Sequence, residues 1–175
     1  MPQDTFLETE RLIFTKWTED DLVDARRLWG NPNIMRYITK APYTDEQILD
    51  VLNKQVTRDK ETGLQYWKLH QKSDNDFAGC CGFRMYDEEK KILELGYHIA
   101  EEHWGKGFAT EAGRRAVEYA FTLPINKIFA AHHPENLASQ NVLEKLGFKF
   151  SHMEYYEPTE VYDRAYFLTS SEVVK

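Results

Sequence analysis

Apolar and polar positions alternate through RLIFTKW (11–17), a run rich in strand formers. The period then lengthens. In TEDDLVDARRLW (18–29), Leu22, Ala25, Leu28 and Trp29 fall on one helical face, acids fill the first turn and Thr18 stands as the N-cap. Gly30-Asn31-Pro32 ends that helix, and TDEQILDVLNKQVTRDKETG (44–63) forms a second, opened by Thr44 and closed by Gly63. Strand patterns return in LQYWKLHQK (64–72), DFAGCCGFRMYD (76–87) and KILELGYHIA (91–100). The linkers SDN and DEEK have hairpin length and chemistry.

Helical spacing covers 108–122, NKIFAAH (126–132) is a short apolar strand, and ENLASQNVLEKLG (135–147) is a helix ending at a C′ glycine. FKFSHMEYYE and VYDRAYFLT close the chain as an antiparallel pair. The order is β-α-α-β-β-β-α-β-α-β-β. It predicts an α/β fold in which a mixed sheet carries helices on its faces.

Length places all 175 residues in one domain, and 42% apolar with 14% aromatic residues suits a packed core. The first residues, MPQDTFLETERL, are acidic without an apolar h-region, so no signal peptide is expected, and no apolar run nears the roughly 20 residues of a membrane helix. Cys80 and Cys81 are adjacent, a spacing that suits neither a disulfide framework nor a zinc site; strand-core positions and a reduced, cytoplasmic setting are the simplest reading. A net charge of −7 argues against a nucleic-acid partner and mildly favours cationic ones such as amines.

EEHWGKGFATEA (101–112) then raises a question of chemistry. A strand, a short glycine loop and a helix offer free backbone N–H groups and a helix N-terminus to an anion, and Gly107 and Ala109 allow close approach. A dinucleotide fingerprint fails, because its third glycine would fall at Thr110; the P-loop spacing fails as well. An ordinary turn remains open on this stretch alone. With NLASQNVLEKLGF (136–148) one strand later, however, WGKGFATEA resembles the GNAT family of acyl-CoA-dependent N-acetyltransferases. The family pattern Q/R-x-x-G-x-G/A aligns with Trp104, Gly107 and Ala109. Trp104 departs from the usual first residue, and with RLIFTKWTEDD it resembles the RimJ/RimL-type, ribosomal-protein N-terminal branch.

The resemblance implies the GNAT fold and acetyl-CoA in a V-shaped gap between the strand ending near Ile99 and the strand 126–132. Its pyrophosphate would lie on the amides of Trp104, Gly105, Lys106, Gly107, Phe108, Ala109 and Thr110. A free N–H among His98, Ile99 and Ala100 would polarise the thioester carbonyl. Glu94 is the candidate general base, or else a solvated carboxylate beside Lys90 and Lys91. Alternation puts Glu94, Gly96 and His98 on one face; His98 lines the cleft or simply packs. The tyrosine that many relatives use as thiol donor is replaced by Leu143, and Ser139 is the branch's candidate instead, or a helix serine bonded to its own turn. Asn136 binds the pantetheine arm, caps its helix, or both.

For the acceptor, Tyr37 and Tyr97, with Tyr66, Trp67, Tyr155 and Tyr156, wall a pocket or pack in the core; Asp163 anchors an amine or serves as a strand-edge acid. His132 and His133 point to opposite faces, and no metal is expected. The implied activity is acetyl transfer to a protein N-terminal α-amine or a small-molecule amine. A detoxifying enzyme and a non-catalytic acyl-CoA-binding module are the competing readings, and a homodimer is the common assembly among such enzymes.

Overall fold

A computed structural model describes residues 4–174. Its strands β1 (Leu7–Glu8), β2 (Leu12–Thr15), β3 (Tyr66–Gln71), β4 (Phe77–Asp87), β5 (Ile92–Ile99), β6 (Lys127–His132), β7 (Lys149–Tyr156) and β8 (Val161–Leu168) form one sheet in the order β1-β2-β3-β4-β5-β6-β8-β7. Only β5 and β6 run parallel, so the sheet is mixed as the element order requires. Five helices cover it: α1 (Leu22–Trp29), α2 (Pro32–Met35), α3 (Asp45–Thr62), α4 (Phe108–Ala120) and α5 (Leu137–Leu146).

The two faces have separate cores. Ala25, Leu28, Trp29, Ile34, Met35, Ile48 and Leu52 from α1, α2 and α3 pack with Phe77 and Cys80. Phe108, Ala112, Ala116, Leu143 and Leu146 from α4 and α5 pack with Trp67, Cys81, Phe83, Leu93, Leu95, Ile128 and Tyr166. Strand alternation sends the adjacent cysteines to opposite cores, and both are free and buried.

Two elements add to the expected order. β1 is only two residues long, too short for a periodic signal. At Gly30-Asn31-Pro32 the chain restarts: the Asn31 side chain accepts the Asn33 amide, and Pro32 opens α2, where its missing N–H has no cost. The capping role given to Thr18 is corrected. Its amide and hydroxyl both donate to Asp21 Oδ2, at 2.7 and 3.0 Å, and Asp21 takes the N-cap position without a side-chain cap bond. Lys68, buried and 2.7 Å from Asp21 Oδ1, ties that carboxylate to β3. The cap at Thr44 is a full capping box with Gln47, and Gly63 ends α3 in the left-handed conformation.

Candidate active site

The sheet opens at its parallel pair. β5 and β6 are joined at Ile92–Lys127, Leu93–Ile128 and Glu94–Phe129, and nowhere beyond. β6 continues beside β8 to His132–Arg164, while β5 follows β4 to Ile99. The backbone of β5 from Leu95 onward therefore has a neighbour on one side only. The Ala100 amide is engaged by the Ala78 carbonyl at 2.9 Å, so of the three candidates at 98–100 it is not a free donor. Backbone groups alternate edges along a strand, which turns Tyr97 and Ile99 toward the gap. The half-exposed Trp104 donates its indole N–H to the Ile99 carbonyl at 2.9 Å.

At the mouth of the gap lies the glycine loop. Gly105 and Gly107 both have φ of +78°, where a side chain would be strained, and Gly107 caps α4 without a side-chain bond. The amides of the first turn of α4, including Phe108, Ala109 and Thr110, thus lack helical partners. Two cations flank them. Lys106 Nζ donates to His103 Nδ1 at 2.9 Å, and His103 Nε2 faces Asp76 Oδ2 at 2.7 Å, which assigns the imidazole proton to Nε2. Arg11 lies over the Phe108 ring at 4.7 Å, 2.6 Å from Glu111, and its Nη2 would stand 3.7 Å from a Cβ on Gly107. The sequence reading missed Arg11, which it took only as the opening residue of the strand run 11–17. Asp76, Glu102 and His103 bring ligand-type atoms within 4.8 Å of one another, but Arg27 pairs with both acids and Lys106 with the imidazole.

On the side of α5, Asn136 accepts the Ser139 amide at 3.1 Å and so caps the helix. Ser139 Oγ lies 2.8 Å from the Tyr97 hydroxyl. Burial pushes that phenol well above its ordinary range, so it stays protonated. Tyr97 thus stands with Ser139 and not with the other acceptor-pocket candidates, because alternation sets it opposite Glu94. Trp67 is fully buried under α4, and Tyr155 is exposed against Tyr162 on the edge hairpin.

The opposite face holds Glu94, only 18% exposed at its side chain and gripped by Arg84 from the facing position of β4, Nε–Oε2 2.8 Å and Nη2–Oε1 3.0 Å. Lys90 is turned to Asp87 instead. Gly96 leaves space for a ring: a Cβ there would stand 2.6 Å from Tyr66 Cζ. His98 Nδ1 accepts the Trp29 indole N–H at 3.3 Å and lies 3.8 Å from Cys80 Sγ. Burial lowers its pKa to about 4, which keeps it neutral and unsuited to store a proton at neutral pH. Further along, Tyr37 packs at a tilt against His133 with ring centroids 5.0 Å apart. Asp163 is buried, its Oδ1 has no partner among the described residues, and burial pushes it up to about 6, with His133 opposing and Glu154 adding to the shift. Burial raises the Tyr156 phenol, with Tyr43, Asp163 and Glu94 adding to the shift and Arg84 opposing it. His132 is engaged elsewhere, 3.1 Å from the Tyr166 hydroxyl on the α5 face.

Residues 11–149 match the model of the acetyltransferase (GNAT) domain, four-fifths of the chain and the whole of the gap and loop. The chain belongs to the GNAT acetyltransferase family. Among its relatives is p20, an uncharacterized N-acetyltransferase of Bacillus licheniformis, 34% identical over 145 residues that span 82% of each chain. A GNAT-family acetyltransferase from Bacillus anthracis superposes with a TM-score of 0.81 at 24% identity, covering 95% of this chain and 99% of the other. The spermidine N-acetyltransferase of Vibrio cholerae, solved with CoA and spermine, gives 0.78 at 22% identity over 94% and 98%. Asp163 lies beyond the matched span, on the strand that follows it.

Proposed function

We propose that this acetyltransferase moves an acetyl group from acetyl-CoA to a primary amine by direct attack within a ternary complex. The observation that carries the reading is the unpaired stretch of β5 ending at a loop of left-handed glycines. Unsatisfied backbone groups suit the amides of a pantetheine arm, and bare helix amides beside Lys106 and Arg11 suit a pyrophosphate. The V. cholerae enzyme solved with CoA supports the choice of donor.

In this reading the Ile99 amide, facing the gap, receives the oxygen of the thioester carbonyl as it gains negative charge. Glu94 takes the proton that the attacking nitrogen sheds, through water, from the lone pairs its fork with Arg84 leaves free. As the C–S bond breaks, the Tyr97–Ser139 pair donates a hydrogen bond to the departing thiolate, which takes its proton from water. Asp163 takes the incoming acceptor as its ammonium, before the nitrogen sheds its proton and attacks, for which a buried carboxylate with a free Oδ1 is suited, while Tyr37 walls the same side.

A peptide α-amine with pKa near 8 is about a tenth neutral at pH 7, and a lysine amine only about 0.04%. One carboxylate engaged by arginine meets the lesser demand more readily, and Trp104 with the first strand resembles the RimJ/RimL-type branch. We therefore place α-amines ahead of lysine-like amines as acceptors. Release of free thiol from acetyl-CoA, measured over peptides, amino acids, polyamines and aminoglycosides, tests the proposal. Turnover with at least one amine is expected. Silence across the panel with CoA binding retained would make the chain an acyl-CoA-binding module.

A further inference from the structure

One guanidinium near Glu94 lacks an anion of its own. Arg84 takes both oxygens of Glu94. Arg58, near the end of α3, brings a second guanidinium into the same cluster, where Arg84 repels it and the already occupied Glu94 attracts it. Among the described residues Arg58 forms no ion pair. Its one side-chain hydrogen bond, Nη1 to Gln55 Oε1, is long at 3.4 Å, and its Cζ lies 5.7 Å from the Tyr66 ring centroid. Gln55 is itself buried and accepts the Tyr66 amide at 2.8 Å, which fixes both neighbours against β3.

Position gives this cation a use. Tyr66 covers Gly96, with its Cζ 2.6 Å from where a Cβ would stand, and Gly96 comes two residues after the last pairing of β5 with β6. Gly96, the Tyr66 ring and the Arg58 guanidinium thus stack outward from the point where the sheet opens. Arg84 is neutralised by Glu94, so Arg58 adds an unpaired positive charge at this edge of the gap, in a chain of net charge −7. A half-buried guanidinium without an anion bears part of its desolvation cost unrelieved, and its donor fork matches a carboxylate in shape.

We propose that Arg58 binds a carboxylate carried by the acceptor a few bonds from its amine. The acceptor is then a free α-amino acid, or a peptide whose first residue is acidic. This inference rests on the acetyl-transfer reading of the site.

Matched acceptors test it: methionine against methioninamide, and a C-terminally amidated peptide beginning with glutamate against the same peptide beginning with glutamine. The first pair reports a free α-carboxylate, the second a side-chain one. In at least one pair the acidic member should have a KM lower by about tenfold, the scale of a charge-assisted contact, with the difference on KM more than on kcat. Arg58→Gln should bring the two members together, and Arg58→Lys should keep part of the difference. Equal KM values within both pairs, or discrimination that survives Arg58→Gln in a protein melting like the wild type, overturns the inference. Calorimetry of the same acceptors with the CoA-bound protein separates the two claims. Arg58-dependent binding without turnover would refute acetyl transfer and keep the carboxylate site; turnover of amines with no acidic preference would do the reverse.

Discussion

Replacing Asp163 with asparagine isolates the cost of burying a carboxylate without a partner. The residue is 7% exposed, its Oδ1 is unsatisfied among the described residues, and its pKa rises from the ordinary 3.8 to about 6. Two pKa units correspond to at most about 3 kcal/mol between the two protonation states. The folded protein holds the Asp163 proton over a pH range where the unfolded chain has released it. Stability is therefore lost as pH rises from about 4 to about 6, and the penalty is full above that. Asparagine keeps the shape and cannot ionise. In urea unfolding between pH 4 and 8, the Asp163→Asn protein should gain on the wild type across the lower half of the range, by up to about 3 kcal/mol, and then hold level. Taking the difference cancels other groups, such as the depressed His98, that titrate in both proteins. A bound ammonium relieves the penalty, so an accepted amine should stabilise the wild type more at pH 7.5 than at pH 5. A difference that is flat with pH, or that slopes the other way, refutes the reasoning.

Other consequences follow from the same geometry. Glu94→Gln should lower kcat by roughly a hundredfold or more across pH 6–8, the scale of general-base loss, and an unchanged kcat would remove Glu94 from the proton's route. Tyr97→Phe and Ser139→Ala should each slow turnover, and in stability their 2.8 Å contact should couple by about 1 kcal/mol in a double-mutant cycle; independent effects would mean the hydroxyls do not act as a pair. Gly96→Ala should cost about 1–3 kcal/mol and raise the acceptor KM, because its Cβ would displace the Tyr66 ring; a neutral outcome in both would show that the ring yields freely.

Much of this architecture was legible from period and punctuation. The cap at Thr44, the glycines at 63 and 147, and the switch from period two to helical spacing after Gly107 all coincide with real element ends. What escaped depended on register and packing. Arg84 faces Glu94 because the turn between β4 and β5 sets their alignment, and composition alone pointed to Lys90 and Lys91. Thr18 sits a turn ahead of the helix, its amide and hydroxyl given to Asp21, whose carboxylate Lys68, distant in sequence, also holds. Tyr97 stands with Ser139 through a single strand's alternation, which the sequence contained but the aromatic tally ignored. Arg11 and Arg58 carried no motif. Only folding brings one beside Gly107 and the other over Tyr66.

The central claim is that the opening between β5 and β6, with the Gly105–Gly107 loop at its mouth, receives acetyl-CoA. Calorimetric titration of acetyl-CoA into the wild type, Gly107→Ala and Gly107→Asp tests it most directly. Both substitutions place a side chain at a φ of +78° and share a backbone cost of about 1–2 kcal/mol, but only aspartate sets a carboxylate where the pyrophosphate would lie. The account predicts binding to the wild type, weaker binding to the alanine protein and none to the aspartate protein. Acetyl-CoA binding the aspartate and alanine proteins with equal affinity would contradict it.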